Sequence, residues 1–305
     1  MSRIVFPRAV PKNFWGRAIC ALALVVAILV AFHQYPPARP SKPAAPDTSV
    51  DLEEVLGRAF AVKQPVILLV IEAGRSPADD EARALLESPE VKAKRDRAIT
   101  VLLDMSVART RAVAARFHVM ATPLLLCLSS RGIIVSRDEK PVAQDLLLQR
   151  IDEVAQQAPE VDAKFAALVK GMGTNPKDAD AQFALTDFLL AHHNAFEAIP
   201  HLEGLAHAKA NAPAVRIRAW VDLARAHYWI GEAEKGRHEA EDLLTTLGST
   251  ENEARAGGNL VLGLHDAEGK RMAAARREFG EAITAAPESS YGRQAAGELA
   301  KLPKE

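Results

Sequence analysis

Two short runs of almost wholly apolar residues place the strongest constraint on how this chain of 305 residues can fold. Val66–Ile71 has the sequence VILLVI, and Ala98–Met105 has the sequence AITVLLDM. Continuous apolar runs of this length are typical of strands that are buried on both faces of a sheet. Helical spacing in Asp51–Val62 precedes the first run and helical spacing in Ala78–Lys94 separates the two, which predicts an α/β arrangement.

A hairpin is predicted after these two strands. Leu124–Leu128 and Ile133–Ser136 have strand composition, and the Ser129–Gly132 segment between them is a turn sequence. Asp145–Gln157 then has the amphipathic spacing of a closing helix. The order α-β-α-β-α-β-β-α over residues 50–158 predicts an α/β sandwich in which parallel pairing comes first and an antiparallel hairpin follows.

From Pro159 onward the strand patterns are absent, and small and large residues recur with helical spacing instead. Trp220, Leu223 and Ala224 fit the start of the tetratricopeptide pattern, W-x₂-L followed by a small residue. Two further sets fit parts of the same pattern: Leu185, Leu189, Ala198 and Leu202, and then Leu262, Gly263, Ala275, Phe279, Ala282 and Pro287. Residues 159–305 therefore resemble tetratricopeptide repeats. The resemblance implies an all-α array with a concave face that binds proteins or peptides.

The N-terminus carries the features of a membrane anchor. Ala18–Phe32 is an apolar run of 15 residues, and basic residues precede it in greater number than they follow it. The run is shorter than the ~20 residues of a typical spanning helix, but no charge intervenes before Arg39. We expect residues 1–34 to form a cytoplasmic stub and a transmembrane anchor, with residues 18–35 in contact with the lipid bilayer. A cleaved signal peptide is the alternative, although small residues at a cleavage site are lacking.

A proline-rich linker, residues 35–49, follows the anchor and is expected to be stiff and extended. The net charge of −1 gives no basic surface for nucleic acid.

The two cysteines, Cys20 and Cys127, both lie in apolar segments and are expected to be buried rather than bonded to each other. His192 and His193, beside Asn194, are expected to be exposed turn residues, because no metal-binding motif surrounds them. No metal or cofactor is therefore predicted.

The strand and helix order, together with the Phe117–Pro123 sequence FHVMATP, resembles the thioredoxin superfamily. In that family a helix ends, a short V-x-x-T-P sequence follows, and the proline is cis, so Pro123 is expected to be cis. Leu86–Val91 also resembles a segment of the periplasmic subgroup of the family. The resemblance covers roughly a hundred residues and implies a thioredoxin-like sandwich over residues 50–158.

The resemblance also places the family's redox residues on this sequence, and none of them is kept. The first cysteine falls on Arg75 and the second on Ala78, with Ser76 and Pro77 between them. The residue that is usually tryptophan is Gly74, and the buried carboxylate becomes Leu69. Because disulfide exchange requires a thiolate, we expect this degenerate motif to be inactive and the chain not to be an enzyme.

Two residues of the family's peptide-binding groove are kept. The resemblance implies that Thr122 and Pro123 could pair with an extended peptide through backbone hydrogen bonds, a contact that requires no thiol. Cys127 follows on an apolar strand, where burial would raise its pKa and prevent redox use. We therefore predict peptide binding at Thr122 and Pro123 and no catalytic residue.

A thioredoxin-like domain followed by tetratricopeptide-like repeats is the domain order of the chaperedoxins, bacterial co-chaperones with weak or absent redox activity. The resemblance and the anchor together predict a single-pass protein of a bacterial inner membrane, with its soluble domains in the periplasm. We expect a protein-binding scaffold or chaperone-like factor. Two alternatives stay open: a thiol-disulfide oxidoreductase-related factor in envelope or cytochrome c maturation, and a structural subunit of an envelope complex.

Overall fold

A four-stranded mixed sheet with flanking helices, followed by a run of further helices, makes up residues 51–139 and 142–303, which the computed structural model describes. These residues belong to the same compact unit. None of the helices in these two ranges is long and apolar enough to cross a membrane. The predicted anchor, residues 18–35, and the whole of the predicted linker, residues 35–49, lie outside the described residues, as does Cys20.

The structure has the following elements. The strands are β1 (Val66–Ile71), β2 (Ile99–Asp104), β3 (Leu124–Leu128) and β4 (Ile134–Asp138). The helices that surround the sheet are α1 (Leu52–Val62), α2 (Pro77–Leu85), α3 (Pro89–Lys92), α4 (Ala108–Arg116) and α5 (Gln144–Thr174). The helices that follow are α6 (Ala179–Ala191), α7 (Ala195–His207), α8 (Pro213–Trp229), α9 (Ala233–Leu247), α10 (Asn252–Glu268), α11 (Met272–Ala285) and α12 (Ser290–Lys301).

The sheet has the strand order β2-β1-β3-β4. β1 pairs with β2 in parallel and with β3 antiparallel, and β3 and β4 form an antiparallel hairpin. The predicted pairing, parallel first and hairpin last, is confirmed. Alternate residues of β1 enter two different cores: Ile67, Leu69 and Ile71 pack on one face of the sheet, and Val66, Leu68 and Val70 pack on the other. Two-sided burial is the reason that the run has no polar residue.

The prediction of one continuous helix over Ala78–Lys94 is wrong, because the structure has two helices there, α2 and α3. Pro89 has no N–H to continue a helix, and the backbone of Ser88 before it is extended. The Ser88 hydroxyl accepts a hydrogen bond from the Val91 N–H at 3.3 Å and so caps the second helix.

The helix predicted to end at Gln157 continues through Pro159 to Thr174, so the boundary expected between residues 158 and 159 falls inside α5. An internal proline costs ~3 kcal/mol in a helix. Packing on both sides offsets this cost. Side chains before the proline pack on the sheet, namely Leu147, Ile151, Val154 and Ala158. Side chains after it pack on the helical core, namely Val161, Phe165, Leu168 and Met172. One helix therefore belongs to both cores.

Helices α6 to α12 follow one another with connections of three to five residues, so that each packs against the next. In addition, α8 packs against α10 and α10 packs against α12, which places these three helices side by side. Of the residues matched to the repeat pattern, Pro287 is exposed and the others are buried, including Trp220, Leu223 and Phe279. The stretch of the chain predicted to be all-helical is thus confirmed as helical, with the expected large residues in its core.

Small residues set the distance between α8 and α9. A Cβ atom added at Gly236 would lie 2.5 Å from the Ala224 carbonyl oxygen, a backbone atom that cannot move away by itself. The glycine therefore allows the two helix backbones to approach at this point.

The turn between α6 and α7 joins the helices to the sheet. Asn194 is 2 % exposed; its Oδ1 accepts from the Ile134 N–H at 2.9 Å, and its Nδ2 donates to the Gly132 carbonyl at 3.2 Å. The His192 Nδ1 lies 2.8 Å from the Ile134 carbonyl oxygen. The expectation of exposure is wrong for His192, which is half-buried against the β3–β4 hairpin, while His193 is exposed as expected.

We expect Gly236→Ala to lower the free energy of unfolding by ~1–3 kcal/mol, because α8 and α9 must separate to accept the methyl group. Chemical denaturation followed by circular dichroism measures this difference. Gly280→Ala is the matched control, since no atom lies within 4 Å of the added Cβ in α11. We expect the control to gain ~0.5–1 kcal/mol from helix propensity. Equal effects of the two variants would contradict the close approach.

Candidate functional site

Three strand ends bring the degenerate motif and the Thr122–Pro123 segment to one end of the sheet. Ile71, at the end of β1, pairs with Asp104 at the end of β2, and Val70 pairs with Leu124 at the start of β3. The turn after β1 and the segment before β3 therefore lie at the same end of the sheet. The Thr122–Pro123 peptide bond is cis, which confirms the prediction for Pro123.

Hydrogen bonds from Ser76 and Asp79 organise the degenerate motif. Ser76 is the N-cap of α2, and its hydroxyl accepts from the Asp79 N–H at 3.3 Å. The same hydroxyl donates to Asp79 Oδ2 at 2.7 Å, while the Glu72 N–H donates to Asp79 Oδ1 at 3.2 Å. Asp79 is fully buried, whereas Arg75 is exposed and forms an ion pair with Glu72. The turn is a closed hydrogen-bonded structure.

A second carboxylate, Asp104, holds the same turn from β2. It accepts from the Ala73 N–H at 3.1 Å and the Ser106 N–H at 3.0 Å, and it pairs with Arg83 at 2.7 Å. Burial raises the pKa of this carboxyl, but the hydrogen bonds and the Arg83 charge outweigh that effect, so that its pKa lies below the ordinary value. Sequence reasoning missed the roles of Asp79 and Asp104. A serine three residues before an aspartate at the start of a helix is the signal that points to Asp79.

The positions that the resemblance assigns to two cysteines are Arg75 and Ala78. Leu69, to which it assigns a buried carboxylate, is fully buried in apolar surroundings. Cys127 on β3 is a buried free cysteine, and burial raises the pKa of its thiol to about 11. A thiol with this pKa is almost wholly protonated at neutral pH and therefore a poor nucleophile.

No group of three or more potential metal-binding side chains occurs within residues 51–139 and 142–303.

At the Thr122–Pro123 segment, Pro123 is buried and Met120 is 74 % exposed. The Oγ1 of Thr122 is buried and has no hydrogen-bond partner. An unpaired buried hydroxyl costs free energy that a bound hydrogen-bonding group would recover. The segment thus combines an exposed apolar side chain with an unsatisfied polar atom, two features of a binding surface.

The loop before this segment contacts the helical array. The His118 Nδ1 contacts the Trp229 carbonyl oxygen at the end of α8. Arg137, on β4, donates to the Phe117 and His118 carbonyl oxygens at 2.5 and 2.9 Å. The predicted peptide-binding segment is therefore continuous, along the chain, with a loop that touches the C-terminal end of α8.

The three helices that lie side by side, α8, α10 and α12, line a partly open pocket of about 260 Å³. The residues that line it are Arg225, Tyr228, Trp229, Val261, Leu264, His265, Glu268, Gln294 and Glu298. The hydroxyl of Tyr228 is buried without a hydrogen-bond partner. The Nε2 of His265 is also unpaired, but it lies on the side of α9, 3.0 Å from the place that a Cβ on Gly236 would take. His265 is 6 % exposed, and Trp229 is 38 % exposed. We refer to these nine residues as the α8–α10–α12 pocket.

Asp222 lies one turn before Arg225 on the same helix, and its carboxyl is strongly desolvated. Burial raises its pKa to about 6, even though Arg218 and Arg225 act in the opposite direction. The Arg218 Nε lies 3.7 Å from the Asp222 carboxylate. Burial, followed by the Asp222 charge, also raises the pKa of Tyr291 to about 12. Strongly perturbed ionisable groups beside a cavity are typical of functional surfaces.

No protein-family profile and no curated protein sequence matches the chain. A solved structure described as DsbH Oxidoreductase is similar to part of it. The two share 14 % sequence identity over a match that covers 41 % of this chain and 97 % of that chain, with a TM-score of 0.31.

We expect Asp79→Ala to lower the free energy of unfolding by ~2 kcal/mol, because the Glu72 N–H and the Ser76 hydroxyl both lose their partner. Asp80→Ala in the same helical turn is the matched control, since that side chain is exposed, and a change within ~0.5 kcal/mol is expected. Urea denaturation measures both values. A control as unstable as Asp79→Ala would show that the effect is one of helix charge rather than of these hydrogen bonds.

We expect Asp222→Asn to stabilise the protein at pH 7. The folded-state pKa of about 6 lies above the ordinary value of 3.8, so the carboxyl's contribution to stability is full below about pH 4 and is lost as the pH rises to about 6. The stability gap between variant and wild type should therefore grow over that window by ~2–3 kcal/mol. Urea denaturation at several pH values measures it, with the exposed Asp180→Asn as the control. A gap that does not change with pH would contradict the desolvation of Asp222.

Proposed function

We propose that this chain is a redox-inactive, membrane-anchored protein-binding factor that combines a thioredoxin-like domain with a tetratricopeptide-like helical array. In this proposal it acts as a scaffold or chaperone-like protein in the periplasm of a bacterium. The observation that carries the proposal is the closed turn at the start of α2, which has Arg75 and Ala78 where the resemblance expects cysteines and is held by hydrogen bonds between Ser76 and Asp79.

The thioredoxin-like assignment is supported by the chain's own strands and turns. The sheet order, the cis bond before β3 and the position of α2 after β1 agree with the arrangement that the resemblance implies. The repeat assignment is supported by helices α6 to α12, in which the residues of the repeat pattern other than Pro287 are buried.

Binding is supported by unsatisfied groups on two surfaces. Thr122 Oγ1 is unpaired near the exposed Met120, and Tyr228, which lines the α8–α10–α12 pocket, has an unpaired hydroxyl. Buried polar atoms without partners are rare in folded proteins, so their occurrence at these places favours occupation by a partner. Exposed aromatic residues such as Trp229 are enriched where proteins bind each other.

The location is proposed from the sequence of residues 1–35. The uncharged run and the basic residues before it favour an uncleaved anchor with a cytoplasmic N-terminus. The soluble part would then be held close to the outer surface of the inner membrane, where it could bind proteins during their passage or assembly.

Insulin reduction distinguishes a binding protein from an oxidoreductase-related factor. With dithiothreitol as the reductant, insulin should precipitate no faster when the full chain in detergent is added than when it is left out. The reason is that Cys127 is buried and protonated. Cys20→Ser and Cys127→Ala variants should behave identically, and a thioredoxin serves as the positive control. Turnover that disappears in either variant would contradict the proposal and favour the oxidoreductase alternative.

A further inference from the structure

The α8–α10–α12 pocket continues along its three helices as a groove, and α8 forms one wall of this groove. Arg225 and Trp229, which line the pocket, lie three and seven residues after Asp222 on α8. Residues with this spacing share one face of a helix. Asp222 therefore faces the groove one turn beyond the pocket.

Helix α12 forms the opposite wall in the same way. Gln294 and Glu298, which line the pocket, lie three and seven residues after Tyr291. Tyr291 therefore shares their face of α12 and lies one turn beyond the pocket, as Asp222 does on α8. The pocket and the two residues beyond it thus belong to the same pair of facing helix surfaces.

The ring of Tyr291 closes the groove at this end. Gly257 lies on α10, the floor of the groove, four residues before Val261 of the pocket. A Cβ atom on Gly257 would lie 3.6 Å from the Tyr291 ring and 2.6 Å from a methyl group of Val221 on α8. The glycine therefore leaves the space in which the ring reaches from α12 across the floor towards α8. A bound segment longer than the pocket must displace this ring.

The carboxyl of Asp222, near this ring, lacks a close counter-ion. The Arg218 Nε lies 3.7 Å from it, which is beyond hydrogen-bonding distance. The same guanidinium pairs with Asp187 on α6 at 2.6 Å and lies 4.0 Å from the centre of the Phe183 ring. Helix α6 therefore holds the cation away from Asp222.

Several helices place ionisable groups around Asp222. The charges that act on it are those of Arg218 and Arg225 on α8 and Asp187 on α6. Within the described ranges, α7 and α9, which also pack against α8, add no charge that acts on it. Burial raises the pKa of Asp222 to about 6 against the effect of the two arginines. On α12 the neighbouring Tyr291, on which Glu253 of α10 also acts, has a pKa of about 12 and is neutral.

We propose that Tyr291 is a gate on this groove, which covers Asp222 while the carboxyl is protonated and swings out with the first turns of α12 when Asp222 ionises. A buried carboxylate without a close partner is costly, and it regains water when the ring leaves. The open gate lengthens the pocket by about one helical turn. This inference rests on the proposed function, because the groove that the gate controls is a proposed binding surface.

Hydrogen–deuterium exchange on the full chain in detergent tests the gate at pH 5 and pH 7.5, with rates corrected for the intrinsic effect of pH on exchange. Because the open form restores the ordinary pKa of 3.8 to Asp222, the opening equilibrium should shift about tenfold between these pH values. The amides of residues 293–299 should therefore lose about tenfold of their protection in wild type. The amides of α9 should keep theirs.

Two variants separate the gate from a general effect of pH. Asp222→Asn cannot ionise and should keep α12 protected at both pH values. Tyr291→Ala leaves Asp222 uncovered and should show low protection of α12 at both. Asp180→Asn, at an exposed position on α6, is the matched control and should respond to pH as wild type does.

Wild-type protection of α12 that does not change with pH would overturn the inference. A change that persists in Asp222→Asn would overturn it as well, and so would an equally large change in α9, which would indicate a general loss of stability. Each of these results concerns the gate alone. The proposed function fails separately, through cysteine-dependent insulin reduction, so the two failures are distinguishable.

Discussion

The carboxamide of Asn194 is the contact on which the rest of the structure depends. It satisfies a backbone N–H and a backbone carbonyl of the β3–β4 hairpin while it lies in the turn between α6 and α7. Each of these groups would cost ~1–3 kcal/mol if it were left buried and unpaired. The same junction brings Ile133 into the helical core, and α5 passes from one core to the other without a break. The sheet and the helices are therefore parts of one packed unit.

The contacts between the sheet and the helices also relate the two candidate surfaces, which are the Thr122–Pro123 segment and the α8–α10–α12 pocket. The turn at the start of α2 and the cis bond before β3 lie at one end of the sheet, and the loop that leads to the cis bond touches the end of α8. A helix N-terminus can lower the pKa of a thiol and activate it. Here the same position holds Ser76 and Asp79, whose hydrogen bonds stabilise the fold. Buried side-chain atoms without a hydrogen-bond partner include the hydroxyls of Thr122 and of Tyr228, which lines the α8–α10–α12 pocket. Binding rather than group transfer is the chemistry that these surfaces offer.

Much of the fold could be predicted because its signals are local. VILLVI is apolar throughout since both faces of β1 are buried, and the small and large residues of the helical stretch recur at helical spacing. The continuity of α5 could not be predicted, because Pro159 is a strong local breaker and only packing against two distant cores offsets it. Asn194 was missed because its hydrogen-bond partners, on the β3–β4 hairpin, lie far along the chain. Asp79 was missed although its partners Glu72 and Ser76 are close in sequence, because acidic residues are common in the first turn of any helix.

Site-specific photocross-linking in the cells that make this protein tests the central claim, that the chain binds a partner without thiol chemistry. A photoreactive residue replaces Gln294, which lines the α8–α10–α12 pocket, or Thr245, which is exposed on α9, in a chain whose two cysteines are both changed to serine. The account predicts a discrete cross-linked product from position 294, no such product from position 245, and no dependence on the cysteines. A product that requires the cysteines, or equal products from both positions, would contradict it.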